Sequence, residues 1–128
     1  MIVRTLKEIL KSDQNVESEH WASRRFLVKK DGMGFSLSET VIYPGTELEI
    51  QYKNHFEACY CVEGAGEVEV FEPEPKTYPI RPGTVYALDK HDKHVLRVHE
   101  RMKLICVFHP ALTGREMHDA DGSYPLLD

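Results

Sequence analysis

Near the start of the chain, apolar residues recur at helical spacing: Leu6, Ile9 and Leu10 share one face of "TLKEILKS". Thr5, with Glu8 three positions later, forms a capping-box pattern, so one short N-terminal helix is predicted. From "HWASRRFLVKKDGMGFSLSETVIY" onward the period changes to two. Short β-branched and aromatic runs alternate with polar positions. They are interrupted at Asp31-Gly32, Gly34, Pro44-Gly45, Gly64 to Gly66, Pro73 to Pro75 and Pro82-Gly83. Turn signals at intervals of roughly ten to fifteen residues predict an all-β antiparallel sandwich or barrel. Residues 111–128, "ALTGREMHDADGSYPLLD", are polar and glycine-containing, which leaves a helical turn, a lid over a cavity and a frayed end all open. No repeat or linker divides the chain, so residues 1–128 read as one domain.

Composition narrows the partners. The formal charge is -5 and the pI near 5.8, and Lys and Arg form no basic stripe, which argues against nucleic acid. No apolar run approaches the roughly 20 residues that span a bilayer. The start, "MIVRTLKEILKSD", turns charged at Arg4 and lacks the apolar core of a signal peptide, so the cytoplasm is the expected location. Three cysteines agree with a reducing compartment: Cys59 and Cys61 lie two apart on a predicted strand and point the same way, which disfavours a disulfide between them.

Candidate chemistry begins in "EACYCVEGAGEVEV" and extends to His94. Glu57 and Gly64, then Gly83 and His94, have the spacings of the two short motifs of the cupin superfamily, small jelly-roll-like β-barrels. A typical cupin carries His-x-His before the Glu and binds a metal with those imidazoles. Here Gln51, Tyr52 and Lys53 occupy that region, and His55 falls only two residues before Glu57. One alternative is therefore a cupin without metal. Against it, Glu57 is expected to face the interior, where an unpaired carboxylate is costly. Residues two apart on a strand share a face, so His55, Glu57, Cys59 and Cys61 form a row. Tyr86 and His94 come from the second motif, and carboxylate, phenol and imidazole together make an O/N donor set suited to iron. Tyr86 as a core tyrosine with a satisfied hydroxyl is the competing reading.

Beyond these motifs the chain resembles the ectoine synthase family. The resemblance runs from "MIVRTL" through "HWASRR", "GMGFSLSETVIYPGTELEIQYKNHFEACYCVEGAGEVE" and "YALDKHDKHVLR" to "CVFHPALTGREMHDADGSYPLL". It implies a cupin-type antiparallel β-barrel with a short N-terminal helix and a C-terminal tail or lid. It further implies iron-dependent, head-to-tail homodimers that cyclise N-γ-acetyl-L-2,4-diaminobutyrate to ectoine, a cytoplasmic solute protective against salt stress. Carried over by position, Fe(II) would be held by Glu57, Tyr86 and His94. Substrate contacts would come from Trp21, Arg24, Thr40, Cys106 and Phe108, with Ser23 and Ser38 as further candidates. Tyr52, His55, Glu116 and His118 would lie near the reacting atoms.

The reaction asks for a base for the amine, an acid for the departing oxygen and a polarised carbonyl. His55 is the expected base, Tyr52 its relay, and Glu116 the acid, if a folded tail desolvates it and raises its pKa. Arg24 is expected to grip the carboxylate, and Trp21 and Phe108 to wall the acetyl group. Taken singly, most of these residues have plainer explanations: Trp21, Cys106 and Phe108 as core, Glu116 and His118 as surface. Two other functions stay open: a metal-free cupin that binds a small zwitterionic solute without turnover, and another cupin enzyme, a dioxygenase or isomerase. The missing His-x-His counts against a dioxygenase.

Overall fold

The computed structural model of the chain describes residues 1–120 and 122–126. A helix, α1 (Leu6–Leu10), precedes eight strands: β1 (Asn15–Glu17), β2 (Trp21–Leu27), β3 (Ser36–Ile42), β4 (Glu47–Ile50), β5 (Phe56–Val70), β6 (Lys76–Ile80), β7 (Val85–Leu88) and β8 (His94–His109). All strand pairings are antiparallel. The all-β expectation and its short helix both hold.

Two long strands make the barrel. The first half of β5 pairs with β7 and with the second half of β8, which continues into β3, β2 and β1. The second half of β5 pairs with β6 and with the first half of β8, which also carries β4. One eight-stranded sheet thus folds over on itself at the middle of β5 and β8. The fold-over coincides with register shifts between Cys61 and Gly66. Glycine is required there: Gly64 has φ +92°, and a side chain on Gly64 or Gly66 would collide with the Arg101 or Arg97 carbonyl on β8.

Strand alternation decides what lies inside. On β5, Glu57, Cys59 and Cys61 are buried while Phe56, Tyr60 and Val62 are exposed. On β8, His94, Leu96 and Val98, then Met102, Leu104, Cys106 and Phe108, face inward. The helix is the exception to its predicted pattern. Thr5 caps it through Oγ1, which accepts from the Glu8 N–H at 3.3 Å. Of the predicted apolar face, however, only Ile9 is buried, and Leu6 and Leu10 stay exposed. Five residues make little more than one turn, so one position alone reaches the barrel.

The tail forms neither helix nor strand among its described residues, yet it is tied down. The Leu112 N–H donates to Ser36 Oγ at 3.1 Å, and Lys53 N–H donates to Ser123 Oγ at 3.1 Å. It packs His118 and Tyr124 against Trp21, Tyr52 and Phe108 and buries Leu112, Glu116 and Tyr124.

Candidate active site

Strand register assembles the site wall. Tyr86 stands opposite Cys59, Cys59 opposite Cys106, Cys106 opposite Ser38, and Ser38 opposite Arg25. This one row crosses five strands of the inner face. Ser23 and Thr40 form a pair in a neighbouring row, as do Glu57 and Phe108. His94 faces this wall from the opposite layer, at the start of β8 and paired with Ile50. An interior cavity of about 40 Å³ lies between the layers, lined by Trp21, Ser23, Ser38, Thr40, Tyr52 and Glu57, and also by Tyr86, His94, Cys106, Phe108 and His118. That is room for a few waters at most. The larger cleft, about 720 Å³ beside Glu49, Phe71 and residues 90–93, is an open surface groove whose charged residues are solvated or paired, as Lys93 is to Glu49 at 2.8 Å.

The tail closes the cavity with aromatic rings. Tyr124 stacks on Tyr52 at 5.0 Å between centroids, and His118 sits 5.6 Å from Trp21. Tyr52 Oη and His118 Nε2 are 2.8 Å apart. Burial, then the nearby Arg25 charge, pulls the His118 pKa down to about 4, while burial holds the Tyr52 phenol well above its usual value. At neutral pH His118 is therefore uncharged, and its Nε2 shares one hydrogen bond with the Tyr52 hydroxyl.

Each wall group has its own electrostatics. Burial pushes the Glu57 carboxyl up to about 7, against hydrogen bonds from the Cys59 and Cys106 thiols. His94 is kept neutral by burial. Its Nδ1 lies 3.0 Å from the Asp92 carbonyl, so Nδ1–H donates there and Nε2 is left with its lone pair free. Burial also raises the Tyr86 phenol. A carboxylate, an imidazole nitrogen and a phenol thus line one cavity, a donor set that fits a cation such as iron. A second donor grouping overlaps it: Glu57, Cys59 and Cys106 offer an oxygen and two sulfurs within 4.8 Å of one another.

Arg24, His55 and Glu116, expected at the site, are not among the residues that line the cavity. Arg24 alternates with Ser23 on β2 and lies 3.3 Å from Glu39, its register partner, with its Nε buried and without a hydrogen-bond partner among the described residues. Its neighbour Arg25 is 2% exposed and lies behind the cavity wall rather than in its lining, with Nε donating to Ser23 Oγ at 3.2 Å and the guanidinium 5.6 Å from the Tyr124 ring centroid. Both terminal nitrogens of Arg25 are buried without a hydrogen-bond partner among the described residues, and Nη1 lies 4.0 Å from a Glu116 carboxylate oxygen. The signal is present in the sequence, since Trp21, Ser23 and Arg25 are spaced by two. For Glu116 the expected rise in pKa is corrected. Burial acts to raise its pKa, but it accepts hydrogen bonds from the backbone N–H groups of Thr113, Gly114 and Arg115 and from the Thr113 hydroxyl, and the net shift is downward. It is a carboxylate, not a poised acid.

His55 and Glu116 lie just behind the cavity wall. His55 packs edge-on against Phe108 at 6.1 Å, and an outer cleft of about 370 Å³ reaches both His55 and Glu116. His55 is 2% exposed, its Nδ1 has no hydrogen-bond partner among the described residues, and burial lowers its pKa while the Glu116 charge opposes that fall.

A family model described as ectoine synthase matches residues 1–128. The chain belongs to the ectoine synthase family. Curated L-ectoine synthases similar to it include that of Desulfatibacillum aliphaticivorans, 61% identical and covering 100% of this chain and 99% of the relative. That of Saccharophagus degradans is 56% identical over 98% of this chain and 95% of the relative. A crystal structure of ectoine synthase from P. lautus superposes with a TM-score of 0.88 at 56% identity, covering 99% of this chain and 91% of that one. The barrel is of the cupin type that the two motifs implied. Of the expected site residues, Trp21, Ser23, Ser38, Thr40, Tyr52, Glu57, Tyr86, His94, Cys106, Phe108 and His118 share the interior cavity. His55 and Glu116 adjoin it, and Arg24 lies apart from it.

Proposed function

We propose that the chain folds N-γ-acetyl-L-2,4-diaminobutyrate into its interior and closes it to ectoine with loss of water. The observation that carries this reading is the pairing of Arg25 with the polar wall. The Arg25 guanidinium has the Glu116 carboxylate 4.0 Å away but no hydrogen bond on either terminal nitrogen among the described residues, so both can donate to a carboxylate, and the substrate brings one. Arg25 anchors that carboxylate at one end of the row. The acetamide then lies toward Glu57, Tyr86 and His94, which would hold Fe(II), an ion that supplies positive charge to polarise the amide oxygen.

The remaining chemistry belongs to the side chains. An α-amine attacks only when neutral. His55, uncharged and with a free Nδ1, is the base that takes its proton. Glu116, ionised by its cage of N–H donors, stabilises the imidazolium that results. Tyr52, hydrogen-bonded to neutral His118, moves a proton toward the departing oxygen. Trp21 and Phe108 wall the acetyl methyl. With His118 and Tyr124 seated, the cavity is too small for the substrate, so the tail lifts to admit it and closes again to exclude water from a dehydration.

Two wider features belong to the same reading. The outer face carries exposed Phe56, Tyr60, Val62 and Val85, and the N-terminus exposes Met1, Val3 and Leu10, apolar surface suited to a head-to-tail homodimer. Among the described residues no helix is long and apolar enough to cross a membrane. A protective solute acts inside the cell, so the cytoplasm is the proposed location. Incubating the purified chain with the acetylated diamino acid, with and without Fe(II), tests the function by proton NMR. Ring protons should appear with iron and not after chelation. Saturable binding with no ring under either condition would instead identify a solute-binding cupin.

A further inference from the structure

The mechanism uses Glu57 and leaves Cys59 without a task. Cys59 and Cys106 are register partners on β5 and β8, both buried, with their Sγ atoms 3.8 Å apart. Two thiolates about 2.3 Å from one tetrahedral zinc stand about 3.8 Å apart. Van der Waals contact between two core thiols gives a similar spacing, so the distance alone decides nothing. What distinguishes this pair is its surroundings. The Glu57 carboxyl completes a three-donor group within 4.8 Å, and no other such group occurs among the described residues. All three line the interior cavity, at the edge of the apolar core cluster to which both cysteines belong, and a cavity of about 40 Å³ has room for a water as fourth ligand.

We propose that Glu57, Cys59 and Cys106 form a second cation site, selective for thiophilic divalent ions such as Zn²⁺ or Cd²⁺. It overlaps the set Glu57, Tyr86 and His94 at the shared carboxylate. The balance is simple: the ion enters with charge +2, both thiols release their protons to solvent, and the ionised carboxylate supplies the third bond. Softer ions prefer sulfur, whereas Fe(II) accepts the oxygen and nitrogen donors across the cavity. One barrel interior thus offers a hard and a soft donor set, and occupancy of the soft one withdraws Glu57 from the other. Zinc would then inhibit turnover, a consequence that rests on the proposed iron reading. The site itself does not.

The test is spectroscopic and needs no turnover. Full-length chain freed of metal by chelation is titrated with Cd²⁺ while the ultraviolet thiolate-to-cadmium charge-transfer band is followed. The expected result is saturation at one equivalent with the intensity of two thiolates, displaced by Zn²⁺. Cys59→Ser and Cys106→Ser should each halve the band and weaken Cd²⁺ binding at least about tenfold. Cys61→Ser should behave as wild type, since that thiol donates to the Glu63 carbonyl at 3.3 Å and lies outside the group. A buried serine hydroxyl destabilises a barrel, so Cys59→Ala and Cys106→Ala are measured beside the serines, with thermal unfolding as the check on folding. Absence of the band in folded wild type overturns the proposal, as does a band undiminished by loss of Cys59 or abolished by loss of Cys61. Iron-dependent ring formation is scored separately, so failure of the thiolate site leaves the proposed function standing, and the reverse.

Discussion

On the cavity wall, Glu57, Cys59, Cys106 and Ser38 take their places from strand register, each fixed by the ladder on both sides. In the tail, Glu116, His118 and Tyr124 have no ladder. They are held by individual bonds: N–H donors around Glu116, one phenol on His118, ring stacking on Tyr124. The wall is therefore a rigid template whose removal costs the fold, whereas the tail can open at the cost of a few contacts. A site that must admit a substrate and then exclude water needs both kinds of construction.

Substitutions on the wall should have the largest effects. Glu57→Gln keeps the shape of the side chain but removes the carboxylate, and ring formation should fall at least about a thousandfold, on the scale of losing a principal electrostatic contributor. Unfolding by denaturant should show the variant as stable as wild type or more so, because a buried charge is lost. Next comes the pair of arginines. Arg25→Met should lose about 2–5 kcal/mol in kcat/KM, expressed mainly in KM, whereas Arg24→Met should change kcat/KM by less than about threefold. Equal losses at both positions would break the distinction between the two faces of β2.

Tail variants should read differently from wall variants. Tyr124→Ala removes the stack on Tyr52 and should speed proteolysis of residues 111–126 while leaving the barrel's stability within about 1 kcal/mol of wild type. Closure should also depend on pH. The closed tail prefers neutral His118, whose pKa there is about 4, against about 6.5 when the tail is free. Closure is thus fully stabilised above about 6.5 and weakens as pH falls toward 4. Hydrogen exchange of tail amides, corrected for intrinsic rates, should accelerate over that window, and in His118→Asn the pH dependence should flatten. The smallest effect belongs to a pair outside both regions. Asp31, held by Arg4 at 2.7 Å, has its pKa lowered to about 2. Its contribution is present above the free carboxylate's value near 3.9 and fades as pH falls through about 2. Asp31→Asn should cost about 1 kcal/mol at neutral pH, by denaturant melts, with turnover unchanged.

Legibility in the sequence divides along the same line. Glycine spacing and period-two alternation announce the barrel, the inward Glu57 and His94, and the helix cap at Thr5, because each is a local backbone rule. Alternation also marks Arg25, one position beyond the Arg24 that the family pattern suggests. Leu6 and Leu10 look like a buried face because periodicity does not report that a helix ends after one turn. The Glu116 cage is not legible at all. It depends on irregular backbone from Thr113 to Arg115 folding its N–H groups onto one side chain, which no spacing signals.

The proposed catalyst stands or falls on one enclosed chamber that holds the substrate's carboxylate at Arg25 and its amide at the opposing donors. Carbon-13 NMR of acetyl-labelled N-γ-acetyl-L-2,4-diaminobutyrate, incubated with iron-supplemented wild type, Arg24→Met and Arg25→Met, tests it most directly. With substrate held below the wild-type KM, the amide carbon should convert to the ring amidine carbon with wild type and Arg24→Met, with near-complete loss in Arg25→Met. Wild-type conversion by Arg25→Met, or loss at Arg24 instead, would contradict it.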